Sequence, residues 1–103
     1  MGTFRKAVKI TELEPGTATL VEIGGNKIAL FNVDGTFYAI DNICAHRGGP
    51  LAEGEIEGDV VTCPWHRATY NIRTGEALGP PAPTGVASYK VRVQGPDIEI
   101  EVS

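Results

Sequence analysis

The chain has 103 residues, of which 42% are hydrophobic and 21% charged, and its formal net charge at pH 7 is −4. This composition is typical of a globular protein, and the length predicts one domain over residues 1–103. The negative balance argues against a nucleic-acid partner, because phosphates select basic surfaces. No segment approaches the ~20 apolar residues that cross a bilayer, and the N-terminal residues lack the apolar core of a signal peptide. We therefore expect no membrane partner and a cytoplasmic location.

Short β-rich segments separated by glycine turns follow one another along the chain. The predicted strands cover residues 18–23, 27–33, 36–41, 59–62, 69–72, 87–93 and 98–102, with turns at 24–26, 34–35, 73–75 and 95–97. In the last strand we expect Ile98, Ile100 and Val102 to face inward, and Glu99 and Glu101 to face outward. No segment has a helical period. The predicted fold class is therefore all-β, a small antiparallel sandwich or barrel.

Both cysteines and both histidines of the chain fall in two short clusters between predicted strands. Cys44 and His46 form the first cluster, and Cys63 and His66 form the second. Loops on a rigid sheet can hold side chains in fixed geometry. Two loops with two ligands each can therefore converge on one metal centre.

Four interpretations of these residues compete. A buried thiol with two solvated histidines gives no reason for placing all four residues in glycine- and proline-rich loops. A redox thiol pair lacks the C-x-x-C spacing. A structural zinc site fits the number of ligands, although zinc-finger spacing pairs Cys with Cys and His with His. A [2Fe–2S] cluster with two cysteines on one iron and two histidines on the other matches the mixed pairs, since each loop then supplies one thiolate and one imidazole.

The motif C-x-H-x16-C-x2-H, with HRGGPL in the first loop and CPWH in the second, resembles the Rieske family. It is most similar to the small ferredoxins that serve oxygenases, and the resemblance covers nearly the whole chain. It implies a two-loop cluster-binding subdomain at about residues 43–83 and one [2Fe–2S] cluster. By this resemblance Cys44 and Cys63 ligate one iron, and His46 and His66 ligate the other. The residues that it places around the cluster are Gly48, Gly49, Pro64, Trp65, Tyr70 and Pro81.

Several positions differ from the high-potential members of the family. Those proteins carry an additional Cys in each loop, where this chain has Gly49 and Trp65, so no disulfide joins the loops. They also place a Ser and a Tyr after the second histidine, and both hydroxyls donate to cluster sulfurs. Here Ala68 replaces the Ser while Tyr70 is kept, which implies a reduction potential toward the low end of the Rieske span of roughly −150 to +300 mV. Arg67 stands where the family usually has glycine, and a positive φ there would strain it.

The function implied by the resemblance is one-electron transfer, without catalysis by the protein itself. The implied electron donor is a flavoprotein reductase that uses NAD(P)H, and the implied acceptor is a terminal oxygenase. Arg47 and Arg67 directly follow the two histidines. We expect them to form a basic tip that docks on an acidic rim of the redox partners. The alternatives are a small subunit of a nitrite reductase or another redox complex and, from a different class, a zinc-stabilised binding module.

Overall fold

A computed structural model describes residues 2–43, 49–65, 67–79 and 84–102. Within these residues the strands are β1 (Thr3–Lys9), β2 (Ala18–Ile23), β3 (Asn26–Val33), β4 (Thr36–Asp41), β5 (Glu55–Glu57), β6 (Val60–Thr62), β7 (Thr69–Asn71), β8 (Ser88–Tyr89), β9 (Val91–Gln94) and β10 (Asp97–Val102). The helical elements of this part are two 3₁₀ turns, Ile10–Glu12 and Leu51–Glu53. None of its helices is long and apolar enough to cross a membrane. The predicted all-β fold class is confirmed.

The strands form three antiparallel sheets. The terminal sheet has the order β1-β10-β9, the central sheet β2-β3-β4-β8, and the loop-bearing sheet β5-β6-β7. The second cysteine–histidine cluster follows β6, so the loop-bearing sheet carries one of the two predicted ligand loops. The first cluster follows β4 of the central sheet.

The central sheet is buried on both faces, as its strand β3 shows. Residues 28–31 of this strand are all fully buried. Ile28 and Leu30 belong to the core shared with the terminal sheet, whereas Ala29 and Phe31 belong to the core shared with the loop-bearing sheet. Successive side chains of a strand point to opposite faces, so a single strand supplies both cores. The loop-bearing sheet is thereby packed against a rigid support.

The terminal hairpin confirms the predicted alternation. Ile98, Ile100 and Val102 are buried, while Glu99 and Glu101 are only partly covered. This pattern is that of a strand with one face on a core and the other toward solvent.

The strand predictions were incomplete in three respects. The predicted strand 87–93 is two strands, because β8 pairs with β4 of the central sheet and β9 pairs with β10 of the terminal sheet. β1 was missed, since a register shift between Lys6 and Val8 interrupts its alternation. β5 was also missed. It is a charged edge strand with Ile56 between two glutamates, and charges of this kind protect an edge from pairing with other chains.

Candidate metal centre

The base of the first predicted ligand loop is closed by Asn42, which is 5% exposed. Its backbone carbonyl accepts a hydrogen bond from the N–H of Leu51 at 2.7 Å, and its side-chain Oδ1 accepts one from the N–H of Ala52 at 2.8 Å. Ile43 and Pro50 form an isolated antiparallel bridge beside these contacts. The chain therefore leaves the central sheet and returns to it at one fixed place.

The second predicted ligand loop connects β6 to β7 and is closed by its own backbone. The N–H of Cys63 donates to the carbonyl of Ala68 at 2.7 Å. Cys63 is 1% exposed, and Ala68 and Tyr70 are fully buried. The predicted thiolate ligand therefore lies in the core between the central and loop-bearing sheets.

The residues at the tip of this loop are exposed. Trp65 is 50% exposed, so it is not an ordinary core aromatic, and Pro64 beside it is also exposed. Arg67 has a φ of 60°, which confirms that the backbone at this position adopts the left-handed region. A residue with a Cβ is strained in that region, and glycine is not.

Gly49 brings the first loop into contact with the second. A Cβ placed on Gly49 would lie 2.5 Å from the Sγ of Cys63 and 3.1 Å from the Cβ of Trp65. The first distance is too short for real atoms, so only glycine fits without displacing a neighbour. The two loops are therefore in contact at the sulfur of a predicted ligand.

The proline-rich segment is anchored on one side to β7 of the loop-bearing sheet and on the other side to the turn that follows β7. Before it, the N–H of Leu78 donates to the carbonyl of Thr69 at 3.0 Å. After it, the N–H of Val86 donates to the carbonyl of Gly75 at 2.8 Å. Gly85 lies so close that a Cβ on it would be 2.6 Å from the same carbonyl oxygen. Three segments thus begin and end around one region of the fold.

The structure describes five of the predicted site residues, namely Cys63, Gly49, Pro64, Trp65 and Tyr70. The other five lie outside the described residues: Cys44, His46, Gly48, His66 and Pro81. Arg47 of the predicted basic tip also lies outside them. Among the described residues no group of three or more His, Cys, Asp and Glu could hold a metal ion. The complete ligand set stays a prediction.

The described part of the site fits an iron–sulfur cluster. Cys63 presents a sulfur atom in an apolar core, and thiolates are the ligands that such clusters use. Because Gly49 has no Cβ, that sulfur can lie directly against the backbone of the first loop. Sequence reasoning did not single out Asn42, which closes the first loop. The available signal was an Asn placed between a strand and a loop, because Asn side chains commonly hydrogen-bond nearby backbone groups there.

Comparisons with known proteins agree with this chemistry. Residues 3–90 match the family model of the Rieske [2Fe-2S] domain. The chain is 38% identical over 102 residues to the biphenyl dioxygenase ferredoxin subunit of Pseudomonas sp. (strain KKS102), covering 98% of this chain and 94% of the relative. Among solved structures, the ferredoxin of carbazole 1,9a-dioxygenase from Nocardioides aromaticivorans IC177 superposes with a TM-score of 0.90 at 27% identity, covering 95% of this chain and 96% of that one.

A second solved structure is the complex of reduced oxygenase and oxidized ferredoxin in carbazole 1,9a-dioxygenase. One of its chains superposes with a TM-score of 0.88 at 28% identity, and the match covers 94% of this chain and 91% of that chain. The protein belongs to the Rieske [2Fe–2S] domain family. It is of the ferredoxin type, so its cofactor is a [2Fe–2S] cluster and its role is electron transfer and not catalysis.

Proposed function

We propose that the protein carries one electron at a time from a flavoprotein reductase to a terminal oxygenase that attacks aromatic compounds, and that it does so in the cytoplasm. The observation that carries the proposal is the buried sulfur of Cys63 against the bare Cα of Gly49, at the contact of the two loops. The relative named as a biphenyl dioxygenase ferredoxin subunit supports the oxygenase as acceptor. The solved complex of an oxygenase with its ferredoxin supports direct contact between two such proteins.

The proposed ligands are Cys44 and Cys63 for one iron and His46 and His66 for the other. When bound, the cluster accepts and releases a single electron. Two neutral imidazoles in place of two thiolates leave the centre less negative, so reduction costs less in a poorly solvated site. The hydrogen bonds that close the bases of the two loops support this set, because each loop contains one proposed thiolate and one proposed imidazole.

We propose that the remaining predicted residues line the cluster. They are Gly48, Gly49, Pro64, Trp65, Tyr70 and Pro81. The complete burial of Tyr70, on the strand that follows the second loop, supports a role beside the cluster. The exposure of Trp65 supports a position at the surface through which the electron leaves.

We propose that this surface docks on an acidic rim of the partner. Arg67 is exposed and makes no ion pair with any residue in the described part of the chain. By contrast, Arg92 is paired with Glu99 at 2.7 Å. Ile43 and Trp65, both 50% exposed, add apolar surface near the two loops. Opposite charges across an interface mainly steer the encounter and raise its rate.

Reconstituted turnover tests the proposed function. A purified reductase and a terminal aromatic-ring oxygenase are mixed with NADH and substrate, and oxygen consumption is followed with and without this protein. We expect the wild type to restore turnover and the Cys63→Ser variant to fail, while the Tyr38→Phe variant acts as the folded control. A protein that carries stoichiometric zinc, holds no iron and does not support turnover would instead establish the binding-module alternative.

A further inference from the structure

Asp41, the last residue of β4, makes three hydrogen bonds with the segment that follows the proline-rich stretch. Its N–H donates to the carbonyl of Ala87 at 2.9 Å. One carboxylate oxygen accepts from the N–H of Ala87 at 3.2 Å, and the other accepts from the hydroxyl of Tyr89 at 2.5 Å. Asp41 therefore directs its backbone donor and both carboxylate oxygens at a single neighbouring segment.

These contacts reinforce the shortest strand of the fold's described part. β8 has two residues, and its pairing with β4 consists of Ala39 opposite Tyr89 and Ile40 opposite Ser88. After β8 the chain crosses to the terminal sheet, so little ladder holds this segment on the central sheet. Hydrogen bonds to an ionised carboxylate are roughly twice as strong as neutral ones. Asp41 supplies the attachment that the short strand does not.

The next residue connects the same point to the first ligand loop. Asn42 accepts hydrogen bonds from the N–H groups of Leu51 and Ala52, which close that loop. Asp41 and Asn42 are adjacent in the chain, so the return of the proline-rich segment and the base of the first loop share one attachment. We therefore expect a displacement of Asp41 to shift both the segment after the proline-rich stretch and the base of the first ligand loop.

We propose that Asp41 and Tyr89 are positioning residues for electron transfer, which fasten the return of the proline-rich segment to the base of the first ligand loop and so set the reduction potential of the cluster. The inference rests on the proposed function, since that function places the cluster between these loops. Reduction adds negative charge, and water stabilises that charge better than a poorly solvated protein site does. A loosened contact admits water and raises the midpoint potential.

The test uses the cluster-loaded protein and the nearly isosteric variant Tyr89→Phe. We expect amide hydrogen exchange of Ala87 to become roughly tenfold faster. We also expect faster exchange at the amide of Leu51 and a higher midpoint potential. In an Asp41→Ala background, Tyr89→Phe should change none of these further, because the contact is already absent. The control is Tyr38→Phe, which removes a hydroxyl elsewhere on β4 and should leave all three readouts unchanged.

Two results, from the redox titration and from the double variant, would overturn the inference. One is a midpoint potential of Tyr89→Phe equal to that of the wild type, since the contact would then serve stability alone. The other is full additivity of the Asp41→Ala and Tyr89→Phe effects. If the wild type binds no cluster, the proposed function fails separately. Exchange at Leu51 needs no cluster, and an unchanged rate there refutes the coupling of Tyr89 to the loop base in either case.

Discussion

Gly49 and Cys63 approach each other so closely that a single added methyl group would lie 2.5 Å from the Sγ of Cys63. The two residues come from different loops, one after β4 and the other after β6. The bases of both loops are closed by hydrogen bonds, so neither loop can retreat without breaking one. The position of a proposed cluster ligand is therefore set in part by the absence of a side chain across from it.

Replacing Gly49 with Ala should reduce the amount of cluster that the protein retains. The added Cβ displaces Cys63 or opens the loop contact, and overpacking of this kind costs about 1–3 kcal/mol. Iron and acid-labile sulfide per chain, measured after anaerobic reconstitution, give the result. The control is Gly95→Ala, where the φ of 61° strains the backbone in open space. It should lower stability and leave iron content intact; equal iron content in both variants would contradict the account.

Introducing a hydroxyl at Ala68 should raise the reduction potential. Ala68 is fully buried, and its carbonyl accepts from the N–H of Cys63. A Ser hydroxyl that donates to a cluster sulfur stabilises the reduced, more negative state. A hydrogen bond to a charged group is worth about 1.5–3 kcal/mol, or about 60–130 mV for one electron.

Redox titration of Ala68→Ser measures this shift, and Ala7→Ser in the terminal sheet serves as the control. A lower unfolding free energy at an unchanged potential would mean that the new hydroxyl finds no sulfur acceptor. The loss would then reflect a buried polar group without a partner.

The Arg67 side chain should lower the free energy of unfolding and favour binding of the redox partner. Its left-handed backbone costs roughly 1 kcal/mol that glycine avoids, although the entropy of glycine in the unfolded chain offsets part of the gain. Arg67→Gly should therefore unfold at slightly higher denaturant and transfer electrons to the oxygenase more slowly, with a weaker dependence on ionic strength. Arg67→Lys keeps the charge and should keep that dependence. If the electron-transfer rates of wild type, Arg67→Gly and Arg67→Lys depend equally on ionic strength, the docking proposal is wrong.

The Tyr89 phenol should make stability fall at alkaline pH. Burial, together with the hydrogen bond from Tyr89 to Asp41 and the negative charge of Asp41, raises the pKa of Tyr89 to about 12, against about 10 in an unfolded chain. A group whose folded pKa is raised contributes stability below the unfolded value and loses it as the pH rises toward the folded value. The loss therefore runs from about pH 10 to about pH 12. Tyr89→Phe lacks this component, so the unfolding free energies of wild type and variant should converge over that window.

The strands that sequence reasoning found are those with clear signals in their own residues. β10 alternates cleanly, and the turn at residues 34–35 marks the hairpin between β3 and β4. Burial of β3 on both faces was harder to predict. A short run of apolar residues has the same pattern whether the strand borders one core or separates two. The change of sheet at Lys90 has no local signal, since it depends on which strands lie beside residues 88–89 and 91–94.

In the candidate site, too, the features with a local sequence signal were predictable and the long-range contacts were not. A ligand role for Cys63 could be predicted because cysteine and histidine are rare in this chain and the spacing of their motif is distinctive. The left-handed backbone of Arg67 was anticipated from a position where the family has glycine, and its φ of 60° agrees. The contact of Asp41 with Tyr89 could not be predicted, because the two residues are 48 positions apart and meet only through strand pairing.

The measurement that tests the account most directly is electron paramagnetic resonance of the purified protein after reduction with dithionite. We expect a rhombic signal whose average g value lies below that of clusters with four cysteine ligands, because the proposed ligand set places two histidines on one iron. Titration of that signal should give a midpoint toward the low end of the Rieske span. A protein that stays colourless and silent after anaerobic cluster reconstitution, and that holds zinc, would contradict the account.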